Sequence, residues 1–179
     1  MRKSSIVFTI GHSTMPLEDF IAILKANSVE TVADVRTVPR SRHNPQFNRE
    51  TLPGELKKAG LDYSHWSALG GLRHAQSDSV NMGWLNASFR GFADYMQTEE
   101  FAKGIEELIE SARLKRTAVM CAEALPWRCH RSLIADALTV RGMKVEHLMG
   151  KGKTLEHHMT PWAHINGLEI TYPQQENPK

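Results

Sequence analysis

Cysteine is scarce in this chain of 179 residues, which has only two, Cys121 and Cys129. Two cysteines so close together cannot form the framework of disulfides that holds many small secreted proteins together. Their scarcity instead favours a reducing compartment, and we expect a cytoplasmic protein.

Long hydrophobic runs are also missing. No stretch approaches the roughly 18–20 apolar residues that a membrane-spanning helix needs. The first apolar run, residues 6–10, is shorter than the roughly 7–15 residues of a signal-peptide core, so we interpret it as a buried strand. Apolar residues make up 41% of the chain, enough for a core without disulfides, and the net charge is only +2. We therefore expect one domain over residues 1–179, with a core at 6–149, an extension at 150–179 and no membrane partner.

Several motifs that bind phosphates or metals are absent. Neither G-x-G-x-x-G nor G-x4-G-K-[ST] follows the first apolar run, which argues against dinucleotide and P-loop sites. Six residues separate Cys121 from Arg128, so the Cys-x5-Arg loop of a phosphatase is missing. The cysteines and His130 lack the paired short spacings of zinc sites. We predict no metal site, and the sequence requires no cofactor.

Three histidines of the C-terminal extension have two interpretations. They could ligate a metal, but on so polar a segment we favour ordinary surface histidines. They are His157, His158 and His164.

Short β-branched or apolar runs alternate with stretches of helical periodicity. The predicted strands cover residues 6–10, 31–35, 61–66, 117–122 and 143–149. Four helices are predicted: one begins at Pro16, one covers residues 52–59, one begins near Thr98 and one covers residues 129–141. Residues 89–96 show a further apolar stripe of helical periodicity. This alternation predicts an α/β fold, a three-layer sandwich with a mostly parallel five-stranded sheet of flavodoxin or Rossmann type.

Polar and cationic residues follow three of these strands. In parallel sheets, ligands bind outside the carboxyl ends of the strands, so we expect these residues to surround one pocket for an anion. An arginine fork grips carboxylate or phosphate at two points. The alternative is a structural network in which the arginines pair with Asp34 and Glu123. The predicted anion-binding residues are Ser13, Arg36, Arg40, Arg42, Arg128 and Arg131.

Four residues of this edge are catalytic candidates. Cys129 lies near a predicted helix N-terminus, where a thiol pKa falls, although a buried apolar cysteine is the alternative. Glu123 is expected to act as a nucleophile, a general base or an acceptor for a ribose hydroxyl, or else to form a salt bridge with Arg36 or Arg131. His12 and His130 are possible acids or bases, although His12 is equally consistent with a structural histidine and His130 need not touch the adjacent sulfur. Cys121, inside an apolar strand, is predicted to belong to the core.

The same segments resemble the domain of unknown function 488 family. The resemblance covers about residues 6–149 and implies a compact bacterial or archaeal α/β protein, without implying an activity or a catalytic residue. Within it, Gly70 and Gly71 allow the backbone to approach a ligand closely, and Gly11 and Asp34 belong to the loops nearest the ligand. The motifs are Thr9-Ile10-Gly11-His12-Ser13, Asp34-Val35-Arg36, Pro39-Arg40-Ser41, Leu69-Gly70-Gly71, Cys121-Ala122-Glu123 and Cys129-His130-Arg131.

Three functions are consistent with these residues. We favour an enzyme, a hydrolase or a transferase, that acts on a phosphorylated or nucleotide-like small molecule. The first alternative is a nucleic-acid-binding module, although the net charge is nearly neutral. It would use Arg36, Arg40, Arg42, Arg49, Arg73 and Arg90, with Trp66, Trp84 and Phe89 for stacking. The second alternative is a thiol redox or metal-binding protein that uses both cysteines.

Overall fold

The computed structural model describes residues 5–176 and contains five α-helices and eight strands in that range. The helices are α1 (Leu17–Ala26), α2 (Leu52–Lys58), α3 (Ala87–Tyr95), α4 (Glu99–Leu114) and α5 (Arg131–Val140). The strands are β1 (Ile6–Gly11), β2 (Thr31–Asp34), β3 (Asp62–His65), β4 (Thr117–Cys121), β5 (Lys144–Gly150), β6 (Lys153–Glu156), β7 (His164–Asn166) and β8 (Glu169–Thr171).

The main sheet has six strands in the order β3-β2-β4-β1-β5-β6. The first five are mutually parallel, and β6 pairs antiparallel with β5. The predicted α/β class and mostly parallel sheet are therefore confirmed, and all five predicted strands form. The predicted number of five strands in the sheet is wrong, because β6 folds back along β5 and adds a sixth. The strand order, which the sequence does not specify, places β4 between β2 and β1, unlike the 2-1-3-4-5 order of flavodoxin or the 3-2-1-4-5-6 order of Rossmann folds.

Helices cover both faces of the sheet and make three layers. Side chains that alternate along β1 reach opposite faces, so Val7 packs with the cluster under α3, α4 and α5, and Phe8 packs with that under α1 and α2. Local signals place the helix starts, since Asn86 caps α3 and Thr98 caps α4 through side-chain hydrogen bonds.

The C-terminal segment, for which the sequence predicted no structure, adds a strand and a hairpin. Strand β6 extends the sheet, and β7 pairs with β8. Ile170 and Tyr172 are buried in the cluster under α5, so this segment completes the core on that face. Among residues 5–176, no helix combines the length and the apolar character needed to cross a bilayer.

The position of β4 decides where the site forms. Its carboxyl end lies between those of β1 and β2, with Gly11 beside Cys121 and Asp34 beside Met120. The chain leaves β1 and β2 toward the layer of α1 and α2, whereas it leaves β4 toward α5. Opposite departures from neighbouring strands open a crevice at a sheet edge.

Candidate functional site

Strands β1 and β4 remain paired beyond their last residues. The amide of His12 donates to the Cys121 carbonyl (3.0 Å), and that of Ser13 donates to the Ala122 carbonyl (2.9 Å). A Cβ on Gly11 would lie 1.7 Å from the Glu123 carbonyl oxygen. Glycine is therefore required at position 11 for this close approach of two backbones.

Arg36 is buried and pairs in a bidentate manner with Asp34. Its Nε and Nη2 donate to the two carboxylate oxygens at 2.9 and 2.8 Å, and Nη2 also donates to the Phe47 carbonyl. The Tyr63 hydroxyl donates to the same carboxylate at 2.5 Å. Burial, followed by the Asp34 carboxylate, raises the pKa of Tyr63, which keeps the phenol protonated. This cluster matches the structural network that the sequence left open for Arg36.

His12 lies behind Arg36 and does not line the cavity. Its Nδ1 is 2.8 Å from the Ser13 carbonyl, its Nε2 is 3.4 Å from Arg36 Nη1, and its ring stacks on Phe47. Burial lowers the pKa of His12, so the ring is neutral near pH 7. These contacts favour the structural interpretation of this histidine over the acid or base.

Arg131 is completely buried on the first turn of α5. Nη1 donates to the Cys121 sulfur at 2.9 Å and to the Glu123 carbonyl at 2.8 Å, and Nη2 donates to the Ala124 carbonyl. Among residues 5–176, no carboxylate lies within ion-pair distance of this guanidinium. A buried charge needs an ionised partner, and the Cys121 sulfur is the contacting group that can ionise.

The two cysteines both contribute to the wall of a cavity described below, and their pKa values shift in opposite directions. Burial acts to raise the pKa of Cys121, but a hydrogen bond from Cys129 and the charge of Arg131 lower it below its ordinary value. Burial and the adjacent Cys121 raise the pKa of Cys129 well above its ordinary value. Of the two thiols, Cys121 is therefore the more readily ionised, and the raised pKa of Cys129 gives the predicted thiolate at that residue no support. Cys121 is also buried in the core, as the sequence predicted.

His130 joins three segments. Its Nε2 lies 3.0 Å from the Val35 carbonyl and 3.1 Å from the Leu69 carbonyl, and its Nδ1 lies 3.4 Å from the Cys129 sulfur. Two carbonyl acceptors require Nε2 to carry the proton, which leaves Nδ1 as an acceptor. Burial lowers the pKa of His130 to about 4, so the ring stays neutral. The ring does reach the adjacent sulfur.

A cavity of about 450 Å³ opens beside these groups, within the range of small-molecule pockets. Cys121 and Cys129 contribute to its wall, while Glu123 and Arg128 line it with exposed side chains. Exposed Arg40 also lines it, 3.8 Å from the Glu50 carboxylate. The other lining residues are Arg36, Thr37, Val38, Gly71, Leu72, Asn86, Ser88, Phe89, Ala122 and His130.

The predicted anion-binding residues thus divide into three groups. Arg36, Arg40 and Arg128 line the cavity, and Arg131 supports it from behind. Ser13 and exposed Arg42 do not line it. Glu123 was expected to pair with Arg36 or Arg131 if its role were structural, but its carboxylate makes neither bond and only its carbonyl accepts from Arg131.

The glycine pair contacts protein side chains. A Cβ on Gly71 would lie 2.5 Å from Nδ1 of His130, and one on Gly70 would lie 2.7 Å from Oγ1 of Thr37. Gly71 also lines the cavity. These glycines therefore let the loop close over His130 and Thr37.

The arginines proposed for a nucleic-acid surface are partly engaged inside the protein. Arg73 stacks on Tyr95 at 3.6 Å and donates to two carbonyls, while Arg90 donates to the carbonyls of Trp84 and Leu85. Trp84 itself stacks on Phe89. These contacts, together with buried Arg36, give the nucleic-acid alternative no support.

The C-terminal histidines do not behave alike. His158 and His164 are exposed, as expected of surface histidines. The expectation is wrong for His157, whose Nε2 is 2.7 Å from buried Asp136 and whose Nδ1 is 2.9 Å from Nε2 of His147. Within residues 5–176, no group of three or more His, Cys, Asp or Glu side chains is arranged to hold a metal ion.

Sequence reasoning missed several members of the site. Tyr63 and Phe47 contact the Asp34–Arg36 pair, yet each occupies an ordinary apolar or aromatic position in the sequence. The position of Cys121 as the last residue of β4 was a usable signal, because strand ends form the edge of such a site.

Comparison with known proteins places the chain in a family. No curated protein and no solved structure matched it. The family model described as "Domain of unknown function DUF488" matches residues 16–138. This range covers more than half of the chain and contains Asp34, Arg36, both cysteines and Arg131. The chain therefore belongs to the DUF488 domain family.

Proposed function

We propose that this protein is an enzyme that binds a small phosphorylated or otherwise anionic molecule in the 450 Å³ cavity and attacks it with the thiolate of Cys121. The observation that carries the proposal is the contact between the fully buried Arg131 guanidinium and the Cys121 sulfur (2.9 Å). Without a carboxylate partner, Arg131 is best satisfied by a thiolate. A thiolate, unlike a thiol, is a strong nucleophile at neutral pH.

The cavity wall supports an anionic substrate with an apolar portion. Arg40 and Arg128 are exposed cations on the wall, and Arg128 makes no ion pair among residues 5–176. Val38, Leu72 and Phe89 supply apolar surface beside them. A phosphate or carboxylate at the arginines would leave the rest of the molecule against these side chains.

The chemistry follows from these positions. The thiolate donates an electron pair to the electrophilic atom of the substrate, and the leaving group departs with the electrons of the broken bond. Exposed Glu123 lines the same cavity and is the group best suited to take a proton from the water that cleaves the covalent adduct. A hydrolase results if water accepts the transferred group, and a transferase results if another molecule does.

Acetyl phosphate is a suitable probe because it is small, anionic and electrophilic. Attack of Cys121 on its carbonyl carbon forms a thioester and releases inorganic phosphate. We expect intact-protein mass spectrometry to detect one acetyl group on the Glu123→Gln variant and none on Glu123→Gln with Cys121→Ser. Acetylation at equal rates with and without Cys121 would refute the nucleophile.

Anion binding is tested separately through the alkylation of Cys121. In a Cys129→Ser background only Cys121 can react, because the chain has no other cysteine. We expect inorganic phosphate to slow alkylation by iodoacetamide in a saturable way. Arg40→Gln with Arg128→Gln should weaken this protection, whereas the exposed Arg42→Gln, whose side chain lies off the cavity, is the matched control. If phosphate does not protect Cys121 from alkylation, or protects it equally well in the double variant, the proposed anion site is contradicted.

A further inference from the structure

The two sulfurs both contact Arg131. Arg131 contacts Cys121 through Nη1 at 2.9 Å and Cys129 through its backbone amide, whose nitrogen lies 3.5 Å from the sulfur. Both cysteines contribute to the wall of the same cavity. Both sulfurs thus contact the same residue at the wall of one cavity.

The backbone around the pair is suited to a crosslink. Cys121 is the last residue of β4, and Cys129 follows the 3₁₀ turn Pro126–Arg128. The intervening residues 122–128 belong to neither a strand nor an α-helix. A disulfide needs particular Cα and Cβ separations, and a short irregular segment can adjust to them at less cost than two rigid elements.

We propose that Cys121 and Cys129 form a reversible intramolecular disulfide in response to hydroperoxides. This inference goes beyond the proposed function, because it requires neither an anionic substrate nor Glu123. It uses the same sulfur, so oxidation removes the nucleophile and switches the enzyme off.

The oxidation has two balanced steps. The Cys121 thiolate attacks one oxygen of the hydroperoxide, the O–O bond breaks, and a proton from solvent converts the departing alkoxide or hydroxide into an alcohol or water. The resulting sulfenic acid is attacked by the sulfur of Cys129, which loses its proton, and water leaves as the S–S bond forms. Two electrons pass from the dithiol to the peroxide, and an external dithiol returns them by exchange.

The assignment of the two roles follows from the contacts. Cys121 carries the thiolate beside the guanidinium, and thiolates react with peroxides faster than thiols do. Cys129 lies 3.4 Å from Nδ1 of His130, an acceptor for the proton that its sulfur gives up. Cys121 is therefore the oxidised sulfur and Cys129 the resolving one.

The same contacts make the disulfide easy to reduce. Oxidation removes the negative charge from Cys121 and leaves the buried Arg131 without an ionised partner. A reduced form stabilised in this way corresponds to a more oxidising disulfide. Such a bond suits a switch better than a permanent crosslink.

Hydrogen peroxide and mass spectrometry test the inference. We expect the wild-type monomer to lose two hydrogens in mass and two titratable thiols, and dithiothreitol to restore both. Cys129→Ser should stop at a sulfenic acid that dimedone traps, and Cys121→Ser should react at least about tenfold more slowly, as expected for a protonated thiol.

Three results would overturn it: a disulfide that links two chains, direct passage of the wild type to sulfinic acid, or equal peroxide reactivity in Cys121→Ser. If Arg131→Met folds, its disulfide should be harder to reduce than that of the wild type. Equilibration of the wild type with glutathione measures how easily its disulfide is reduced, and this measurement does not need the variant. Phosphate protection of Cys121 is measured independently, so either proposal can fail while the other survives.

Discussion

Arg131 Nη1 lies 2.9 Å from the sulfur of Cys121, and this contact places a cation and an ionisable sulfur together where the first turn of α5 meets the end of β4. The guanidinium also holds the carbonyls of Glu123 and Ala124. The residue thus lowers the pKa of Cys121 and orders the loop that forms one side of the cavity.

Replacement of Arg131 should raise the pKa of the Cys121 thiol. Without the positive charge, burial disfavours the thiolate. We expect ultraviolet absorbance of the thiolate in a Cys129→Ser background to titrate at higher pH in Arg131→Met than in the parent, with Arg131→Lys between them. A titration that does not move, in a variant shown to be folded by circular dichroism, would mean that Arg131 does not ionise Cys121.

Loss of the Asp34 carboxylate should destabilise the protein strongly. Asp34→Asn leaves the buried Arg36 without its ionic partner, and breaking such a pair costs about 3–5 kcal/mol. Tyr63→Phe removes only one hydrogen bond to the same carboxylate and should cost about 1 kcal/mol. Urea unfolding measures both, and similar small losses would show that the ion pair contributes little.

The free energy of unfolding should fall as the pH falls from about 6.5 to 4. Burial lowers the pKa of His130 to about 4 and that of His147 to about 3. In this window the unfolded chain, in which histidine titrates near 6.5, binds protons that the folded protein does not, so acid favours unfolding. The contribution of His130 is on the order of 3 kcal/mol.

Chemical denaturation between pH 7 and 4 checks this dependence. His130→Gln should reduce the slope of unfolding free energy against pH, and His158→Gln, on the surface, controls for the loss of a histidine side chain. An unchanged slope in His130→Gln would mean that this ring is not held neutral.

An added methyl group at Gly11 should be poorly tolerated. The new Cβ would lie 1.7 Å from the Glu123 carbonyl, so β1 and the loop after β4 must separate, at a cost of about 3 kcal/mol or more. Gly54→Ala provides the opposite outcome, since no atom lies within 4 Å of its Cβ and alanine favours α2 by up to about 1 kcal/mol. The midpoint temperature of thermal unfolding should fall when Gly11 is replaced by alanine and rise in Gly54→Ala. A small change at Gly11 would mean that the ends of the two strands separate readily.

The edge of the site was predictable from the sequence because parallel strands end on the same side. Gly11, Asp34 and Cys121 are the last residues of β1, β2 and β4, and β4 pairs with both of the other strands. The partners of each side chain were not predictable, since Arg36 could reach Asp34 or a ligand equally well in sequence terms. The contact of Arg131 with Cys121 depends on how α5 crosses β4, which no local pattern specifies.

The contacts of the C-terminal segment were likewise not predictable from the sequence. Its polar composition gave no sign of the buried pairing of His157 with Asp136, since the two residues are 21 positions apart and meet only because β6 folds back along β5. The adjacent His158 has the same local sequence context, yet its side chain is exposed.

The α/β class, the five parallel strands and the side of the sheet on which charged residues collect could be predicted without a structure, because these features depend on periodicity and chain direction along contiguous segments. The contact of Cys121 with Arg131, the pairing of Arg36 with Asp34 and the cavity beside them became known only from the folded chain. Such pairings depend on strand order and helix packing, which bring together residues that are distant in the chain.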